Sequence, residues 1–558
     1  MTNREIARIL DHIADILQFQ EENPFKIKAY RRVANSIYHL DEDVHYLYEK
    51  GRLGEIPGVG KAIKGKIEEL IEKGSLEYYE RLLTEVPPGL LDMLSIPGVG
   101  HKTIKMLYEQ LGVTNRDELL QAARDKRIRL LPGMGSKTEF SIIKGIEMLE
   151  QHSQKNTLGF VLPMGLEMLA FLKEMEQVSD ASLAGSIRRG CPLVTDIDIV
   201  VAADNEATVR SKLSRYREIK QVTESQPGHI QGFMQFNIPF EVIILPPGEY
   251  CPGLFLATGS KPHLARLFPA GPRPRMEGFR NETDIYASLG LDFIPPELRE
   301  DRGEVEAAAA GQLPPLIRQE DLQGDLHCHS GWSDGVSKLA ELGEMARDMR
   351  YSYLAITDHS RSLAISGGLN EERLASQGQE IDRLNRKWDD FVLLKGTEVD
   401  ILRDGSLDYD AEILARLDVV VASIHTNFHL DREKQTERLV RAIKDENVDI
   451  IGHLTGRLLN RRPAYELDLE EILAAAANSK IILEINSHPD RLDIDAELAR
   501  QARDMGIKIA VTSDAHHKND LRLVYYGIIN ARRGWLRKED VVNTWSREAV
   551  ITYLKNNE

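Results

Sequence analysis

The sequence predicts a multidomain chain with an all-α amino-terminal region, an α+β middle and a carboxyl-terminal parallel barrel of (β/α)7 type. Three observations predict it. The segment Ile56-Pro-Gly-Val-Gly60 recurs as Ile96-Pro-Gly-Val-Gly100 and, varied, as Leu131-Pro-Gly-Met-Gly135, each ahead of a helical pattern. An Asp196-Ile-Asp198 pair opens an apolar run that ends at Val201. Between Gly324 and His517, seven short apolar runs each end on a potential metal ligand.

Length and composition set the bounds. A chain of 558 residues is several domains long. No apolar run approaches the eighteen residues needed to cross a membrane, and Met1-Thr-Asn-Arg-Glu-Ile has no secretory pattern. Cys191, Cys251 and Cys328 are too few and too scattered for a disulfide framework. A cytoplasmic, soluble protein without membrane attachment is expected. The net charge is −17, of which residues 1–150, with 22 Lys+Arg against 24 Asp+Glu, carry −2. The remaining −15 falls on 151–558, and the overall acidity argues against indiscriminate nucleic-acid binding while leaving local contacts open.

In the first helices, Ile6, Ile9, Leu10, Ile13, Ile16 and Leu17 keep the spacing of one buried face until Asn23-Pro24 breaks it. Lys26, Lys28, Arg31 and Arg32 then surround Tyr30, either as a phosphate-holding cluster or as a solvated helix face. The repeats say more. A Gly-x-Gly hairpin opening a helix presents backbone N–H groups and the positive end of the helix dipole to an anion, without reading sequence. One copy often just makes a turn. Three in a shared frame resemble helix-hairpin-helix DNA-binding motifs, with Gly58, Gly60, Gly98, Gly100, Gly133 and Gly135 as DNA-binding positions.

In the middle region, Gly185-Ser186 precedes Arg188-Arg189, and Asp196 and Asp198 follow. Alternation along a strand puts both carboxylates on one face, where they can hold divalent cations on a triphosphate. With Thr258-Gly259-Ser260 as a nucleotide-contacting turn, the set resembles the palm of nucleotidyltransferases, and of family X DNA polymerases in particular. That resemblance implies Asp196, Asp198 and Glu241 as catalytic carboxylates with Mg2+ or Mn2+. It implies Gly185, Ser186, Arg189, Thr258, Gly259 and Ser260 as nucleotide-binding. There are departures. Glu241 stands where the family has Asp, Leu256-Ala257 replaces aromatics, and Thr195 replaces a glycine. Three prolines in Phe268–Arg275 are expected to break a helix that the family continues. Lys66, in the helix after the first hairpin, matches the family's Schiff-base lyase lysine, although surface lysines are common.

In the last region the strand-end residues are His327, His329, Asp334, Asp358, His359, Glu398, His425, His453, Glu484, Asp514 and His516. A parallel barrel gathers the carboxyl ends of its strands on one face, so these distant residues should converge. Imidazole and carboxylate suit zinc, manganese and iron, and paired ions clamp a phosphoester. The order His-x-His, Ser-Asp-Gly, Thr-Asp-His, Glu, His, His, Asp-x-His resembles the PHP (polymerase and histidinol phosphatase) family. It implies His327, His329, Asp334, His359, Glu398, His425, His453, Asp514 and His516 as ligands of two to three Mn2+, Zn2+ or Fe ions. Asp358 and Glu484 fall outside that set, as supports. Arg457 and Arg461 offer phosphate-binding forks or belong to a solvated charge run.

The whole order resembles bacterial and archaeal family X DNA polymerases carrying a PHP domain. The expected domains are 1–80, a lyase-like helix-hairpin-helix domain, and 81–155, a fingers-like one. They continue with 156–245, the palm, 246–316, a degenerate thumb and linker, and 317–558, the PHP domain. The implied function is gap-filling synthesis, weakened by the departures above, joined to a metal-dependent 3′→5′ exonuclease or abasic-site phosphodiesterase in base excision repair. Gapped or nicked DNA and deoxynucleoside triphosphates would be its partners, and it would act as a monomer. The alternatives are a polymerase-defective DNA-binding nuclease and a phosphomonoesterase.

Overall fold

Periodicity turns into elements much as the side chains demand in a computed structural model, which describes residues 1–555 apart from 2, 39, 41, 88, 97, 98, 153, 154 and 270–277. Two units are present, Met1–Ser153 with Asn460–Pro463, and Gln154–Leu459 with Ala464–Glu558.

The first unit is helical. Its opening helix, Asn3–Phe19, buries Ile6, Leu10, Ile13, Ile16 and Leu17 in the core of that unit. Pro24 occupies the first position of the next helix, Pro24–Tyr38, where a missing N–H costs nothing. The three repeated segments share one turn hydrogen bond. Val59, Val99 and Met134 donate their N–H to the carbonyls of Ile56, Ile96 and Leu131, at 3.1, 3.0 and 3.1 Å. Gly60 and Gly100 cap helices Lys61–Lys73 and His101–Leu111, and Gly135 directly precedes Ser136–His152. Gly58 and Gly133 take φ of +86° and +73°, the left-handed turn that glycine allows. Gly98 lies outside the described residues.

The second unit holds two larger sheets. A short antiparallel pair, β1 (Asn156–Thr157) and β3 (Leu193–Val194), is separate from the first. That sheet comprises β2 (Val178–Leu183), β4 (Ile197–Ala203), β5 (Ile219–Gln226), β6 (His229–Met234) and β7 (Pro239–Leu245), in the order β2-β4-β7-β6-β5. Only β4 and β7 run parallel, in a register that sets Asp198 beside Glu241.

The second sheet is β8 (Gly324–Asp325), β9 (Tyr353–Ile356), β10 (Val392–Asp400), β11 (Val419–Ser423), β12 (Ile450–Ile451), β13 (Ile482–Asn486) and β14 (Lys508–Thr512). All seven are parallel and lie in sequence order. Just past β8 and β14, His329 N–H donates to the Ala515 carbonyl (2.7 Å) and Asp514 N–H to that of His327 (3.1 Å), so the sheet nearly closes into a barrel. Its strands are buried on both faces, as the unbroken apolar runs require.

Between the two sheets in sequence lie helices Tyr250–Thr258, Lys261–Leu267, Glu282–Ser288 and Glu304–Ala309. They share a small core of Cys251, Phe255, Ile285, Tyr286, Ile294, Leu298 and Ala308 that Trp535 completes. Helix Lys261–Leu267 stops before Phe268, where the proline-rich run begins, and the rest of that run, from Ala270 on, lies outside the described residues. Among the described residues no helix is long and apolar enough to cross a membrane.

Candidate active sites

At the carboxyl ends of the barrel strands the expected ligands meet. Glu398, at 1% exposure, is the centre. Its Oε1 lies 3.0 Å from His453 Nε2 and 3.3 Å from His425 Nε2. Its Oε2 lies 2.9 Å from His359 Nδ1 and 3.5 Å from both His327 and His329 Nε2. Asp514 Oδ1 is 3.1 Å from His329 Nε2 and 3.6 Å from His327 Nε2. Asp334 reaches His359 at 3.4 Å and His516 at 3.5 Å. Three sets have donor atoms close enough to share an ion: His329, Asp334, His359 and His516; His327, His329 and Asp514; His359, Glu398 and His425. His453 joins them through Glu398.

The charges show what this crowding calls for. Burial opposes ionisation of Glu398, yet His425, His327 and His359 hold it well below the usual carboxylate range. Burial also opposes the His359 imidazolium, but Glu398 and Asp334 carry it up to about 10. His425 and His516 rise to about 9, against burial, through Glu398 with Asp400 and through Asp334 with Asp514. His329, buried between His516 and His359, drops to about 4. Among the described residues, buried His329 Nδ1 and His453 Nδ1 find no hydrogen-bond partner, a cost that coordination of a cation at this cluster would offset. The residues fit a divalent-metal centre.

A surrounding layer aims these ligands. Glu484 accepts from His327 Nδ1 (2.6 Å) and from the Thr512 hydroxyl (2.6 Å), and its other oxygen accepts the His453 N–H. Asp358 accepts the Ser330 and Ser333 N–H groups at 2.8 and 3.2 Å, pinning the loop that carries Asp334. Two supports were missed in the sequence. Asp400 hydrogen-bonds His425 Nδ1, and Asn486 donates to Asp514 Oδ2 at 2.9 Å. Each lies two residues past a singled-out carboxylate, Glu398 or Glu484, so strand alternation was the available signal. His453 and Asp514 hold φ of +27° and +52°. Such backbone costs on the order of 1–3 kcal/mol per residue and persists only where the surrounding structure over-determines it.

On the palm, Asp198 sits beside Glu241 across the β4–β7 register, and Asp196, just ahead of β4, feels the Glu241 charge. Burial, then Asp196 and Glu241, push the Asp198 carboxyl up to about 7, with Arg189 opposing. Three crowded carboxylates that drive one of their number towards neutrality fit a cation. Glu241 Oε1 accepts from His229 Nδ1 and Gln231 Nε2, both at 2.9 Å. Gly185, at φ +55°, leaves room for Asp198, whose Oδ2 would lie 1.7 Å from a Cβ there. Ser186 is in the four-residue helix Gly185–Arg188. The Thr258 hydroxyl is buried between Leu254 O and Arg188, Gly259 packs against Leu264, and Ser260 caps the following helix through His263 N–H.

Comparison with known proteins matches the hairpin repeats and the barrel to family models. Residues 1–76 match the helix-hairpin-helix domain, 90–147 the SAM-like helix-hairpin-helix tandem, and 325–488 the PHP domain. The DNA polymerase/3′-5′ exonuclease PolX of Bacillus subtilis (strain 168) is 35% identical over 575 aligned positions, covering all of both chains. This chain belongs to the PolX family. A probable phosphatase of Thermoanaerobacter sp. (strain X514) is 30% identical over 216 residues, 35% of this chain and 85% of the relative. One of Caldanaerobacter subterraneus subsp. tengcongensis is 37% identical over 203 residues, 34% of this chain and 75% of the relative.

The other residues singled out in this PolX-family sequence are placed as follows. Lys66 Nζ lies 4.5 Å from the Tyr78 ring centre, and burial, with Lys26 and Arg81 nearby, lowers its pKa. Arg31 is taken up by Asp11 and Asp15, at 2.8 and 2.7 Å. Arg189 pairs with Glu300 (3.0 Å) and donates to the Thr258 carbonyl (2.8 Å). Arg457 holds the carbonyls of Arg491 and Leu492 and the Asp495 carboxylate, so its fork supports a loop. Arg461 belongs to the Asn460–Pro463 segment grouped with the first unit.

Proposed function

We propose that this chain is a DNA repair enzyme with two activities, gap-filling synthesis at the palm and metal-dependent 3′→5′ exonuclease or abasic-site phosphodiesterase cleavage at the barrel mouth. The observation that carries the reading is the presence in one PolX-family chain of a carboxylate cluster at β4 and β7 and a pocket on a parallel barrel where nine histidines and carboxylates gather. The hairpin repeats supply sequence-independent grip on DNA phosphates, with Gly58, Gly60, Gly98, Gly100, Gly133 and Gly135 at the contacts. The substrates are then gapped or nicked DNA and deoxynucleoside triphosphates, in base excision repair. A monomer suffices, since each site is completed by residues of one chain.

At the barrel mouth His327, His329, Asp334, His359, Glu398, His425, His453, Asp514 and His516 would hold two to three ions, of manganese, zinc or iron. Such ions, when bound, ease deprotonation of water and offset phosphodiester charge. The chain's own part is to aim each imidazole. Glu484 fixes the His327 tautomer, Asp400 that of His425, and Asp358 the Asp334 loop. At the palm Asp196, Asp198 and Glu241 would hold Mg2+ or Mn2+, Gly185 and Ser186 would approach the triphosphate, and Arg189 would bind it. Primer extension on a one-nucleotide gap, compared with Asp198→Ala, tests the first activity. 3′→5′ digestion compared with His425→Ala tests the second. Extension that survives in Asp198→Ala, or digestion that survives in His425→Ala, sinks the corresponding assignment.

The lowered pKa of Lys66 favours a further activity, Schiff-base removal of a 5′-deoxyribose phosphate, since an amine must be neutral to attack a carbonyl. Borohydride trapping on such an end, lost in Lys66→Ala, is the expected result. A second reading, with the palm as a non-catalytic clamp, is favoured by the pairing of Arg189 with Glu300. Absence of extension with either Mg2+ or Mn2+ would select it.

A further inference from the structure

We propose that Arg533, on the barrel helix Val524–Arg533, and Glu300, in the connector, act in opposition to set how tightly Arg189 grips the triphosphate of an incoming nucleotide. The inference rests on the phosphate-binding reading of Arg189. Glu300 Oε1 receives three donors. Arg189 Nε is at 3.0 Å, Arg533 Nη1 at 3.2 Å and the Cys191 thiol at 3.2 Å. The charged groups are largely withdrawn from water, with side-chain exposures of 13% for Arg189, 19% for Glu300 and 7% for Arg533. Arg533 Nη1 also donates to the backbone carbonyl of Arg189 at 2.7 Å. Between these contacts the barrel helix touches the loop directly, since a Cβ on Gly190, which sits at φ +63°, would lie 2.1 Å from Ile529 Cγ2.

The arrangement is a competition. Glu300 competes with a triphosphate for the charge of Arg189, whose Nη1 also holds the Thr258 carbonyl, and Arg533, the second cation on Glu300, weakens that competition. Without Arg533, the whole charge of Glu300 falls on Arg189, and the Arg189 carbonyl loses its anchor. With a neutral amide at 300, Arg189 keeps its geometry and loses its competing anion. The two changes therefore move nucleotide affinity in opposite directions, whereas a merely structural contact would weaken it in both.

The test measures the Kd of a correct deoxynucleoside triphosphate for the full-length enzyme on a one-nucleotide gap with a dideoxy-terminated primer, so that no turnover is needed. Glu300→Gln is expected to lower Kd about threefold or more and Arg533→Gln to raise it about threefold or more, the scale of one charge-assisted hydrogen bond gained or lost in partial solvent. Arg533→Lys should fall between wild type and Arg533→Gln. Exonuclease rate and bound metal, measured on the same preparations, should stay unchanged and so report an intact barrel. Kd values that move in the same direction, or that do not move while Arg189→Ala raises Kd, overturn the proposal. An unchanged Kd in Arg189→Ala would instead remove the phosphate reading of Arg189, and this inference with it.

Discussion

Gly185 stands at φ +55° with Asp198 Oδ2 where its Cβ would go. Alanine there must displace a palm carboxylate, and a displacement of about 1 Å is enough to cost on the order of a hundredfold in rate. Gly185→Ala should therefore abolish most primer extension while leaving exonuclease activity at the wild-type level, measured on the same preparation. Asp198 itself adds a pH dependence. Burial and its two acidic neighbours raise its pKa to about 7, so below that pH the carboxyl is neutral and a poor ligand. Extension at limiting Mg2+ should rise between pH 6 and pH 8, and a rate flat across that range would contradict this account. On the barrel, Asp400 fixes His425 through Nδ1. Asp400→Ala should cut exonuclease activity about 10–100-fold and lower bound metal by elemental analysis, the usual consequence of losing such a support.

The shortest barrel strands show how an element is held when it has little chain of its own. β12 is Ile450–Ile451, and Asp449 just ahead of it does the joining. Its Oδ2 accepts Val420 N–H at 2.8 Å, its carbonyl accepts Ile482 N–H at 2.9 Å, and its N–H donates to the Val420 carbonyl at 3.0 Å. Burial pushes its carboxyl up to about 7, only partly offset by the Val420 N–H. In the unfolded chain it ionises near the ordinary carboxylate value, so between about pH 4 and pH 7 the folded state binds the extra proton. Its contribution to stability is greatest below that window and is lost as pH rises through it. Asp449→Asn should raise the thermal midpoint by a few degrees at pH 8 and by much less at pH 5, followed by calorimetry. Most barrel strands were legible because each is an apolar run ending in a ligand-type residue. Asp449 was not, since one carboxylate ahead of Ile-Ile carries no periodic signal. The pairings of Arg189 with Glu300 and of His425 with Asp400 were hidden for a related reason, as their partners are set by topology.

At the scale of the molecule, the convergence of the nine candidate ligand residues was legible across some 190 positions because a parallel barrel brings every strand end to one rim, whichever helices intervene. What pattern could not show is how the rim stores charge. His359, His425 and His516 keep their protons up to about 10, 9 and 9, drawn by Glu398, Asp334, Asp400 and Asp514 against the penalty of burial. Ion binding must expel those protons, because only the neutral imidazole has a lone pair to give. Mn2+ affinity should then climb steadily from pH 6 to pH 9. Titration calorimetry at pH 7.5 in buffers of different ionisation enthalpy should show proton release of more than one per site. The same linkage reaches folding, since an ion bound only by the native barrel stabilises it in proportion to the logarithm of its affinity. At a fixed Mn2+ concentration the gain in thermal midpoint over an EDTA-treated sample should therefore be larger at pH 8 than at pH 6. A gain that is the same at both values would show that ion binding displaces no protons from these imidazoles, and that the ions are gathered elsewhere.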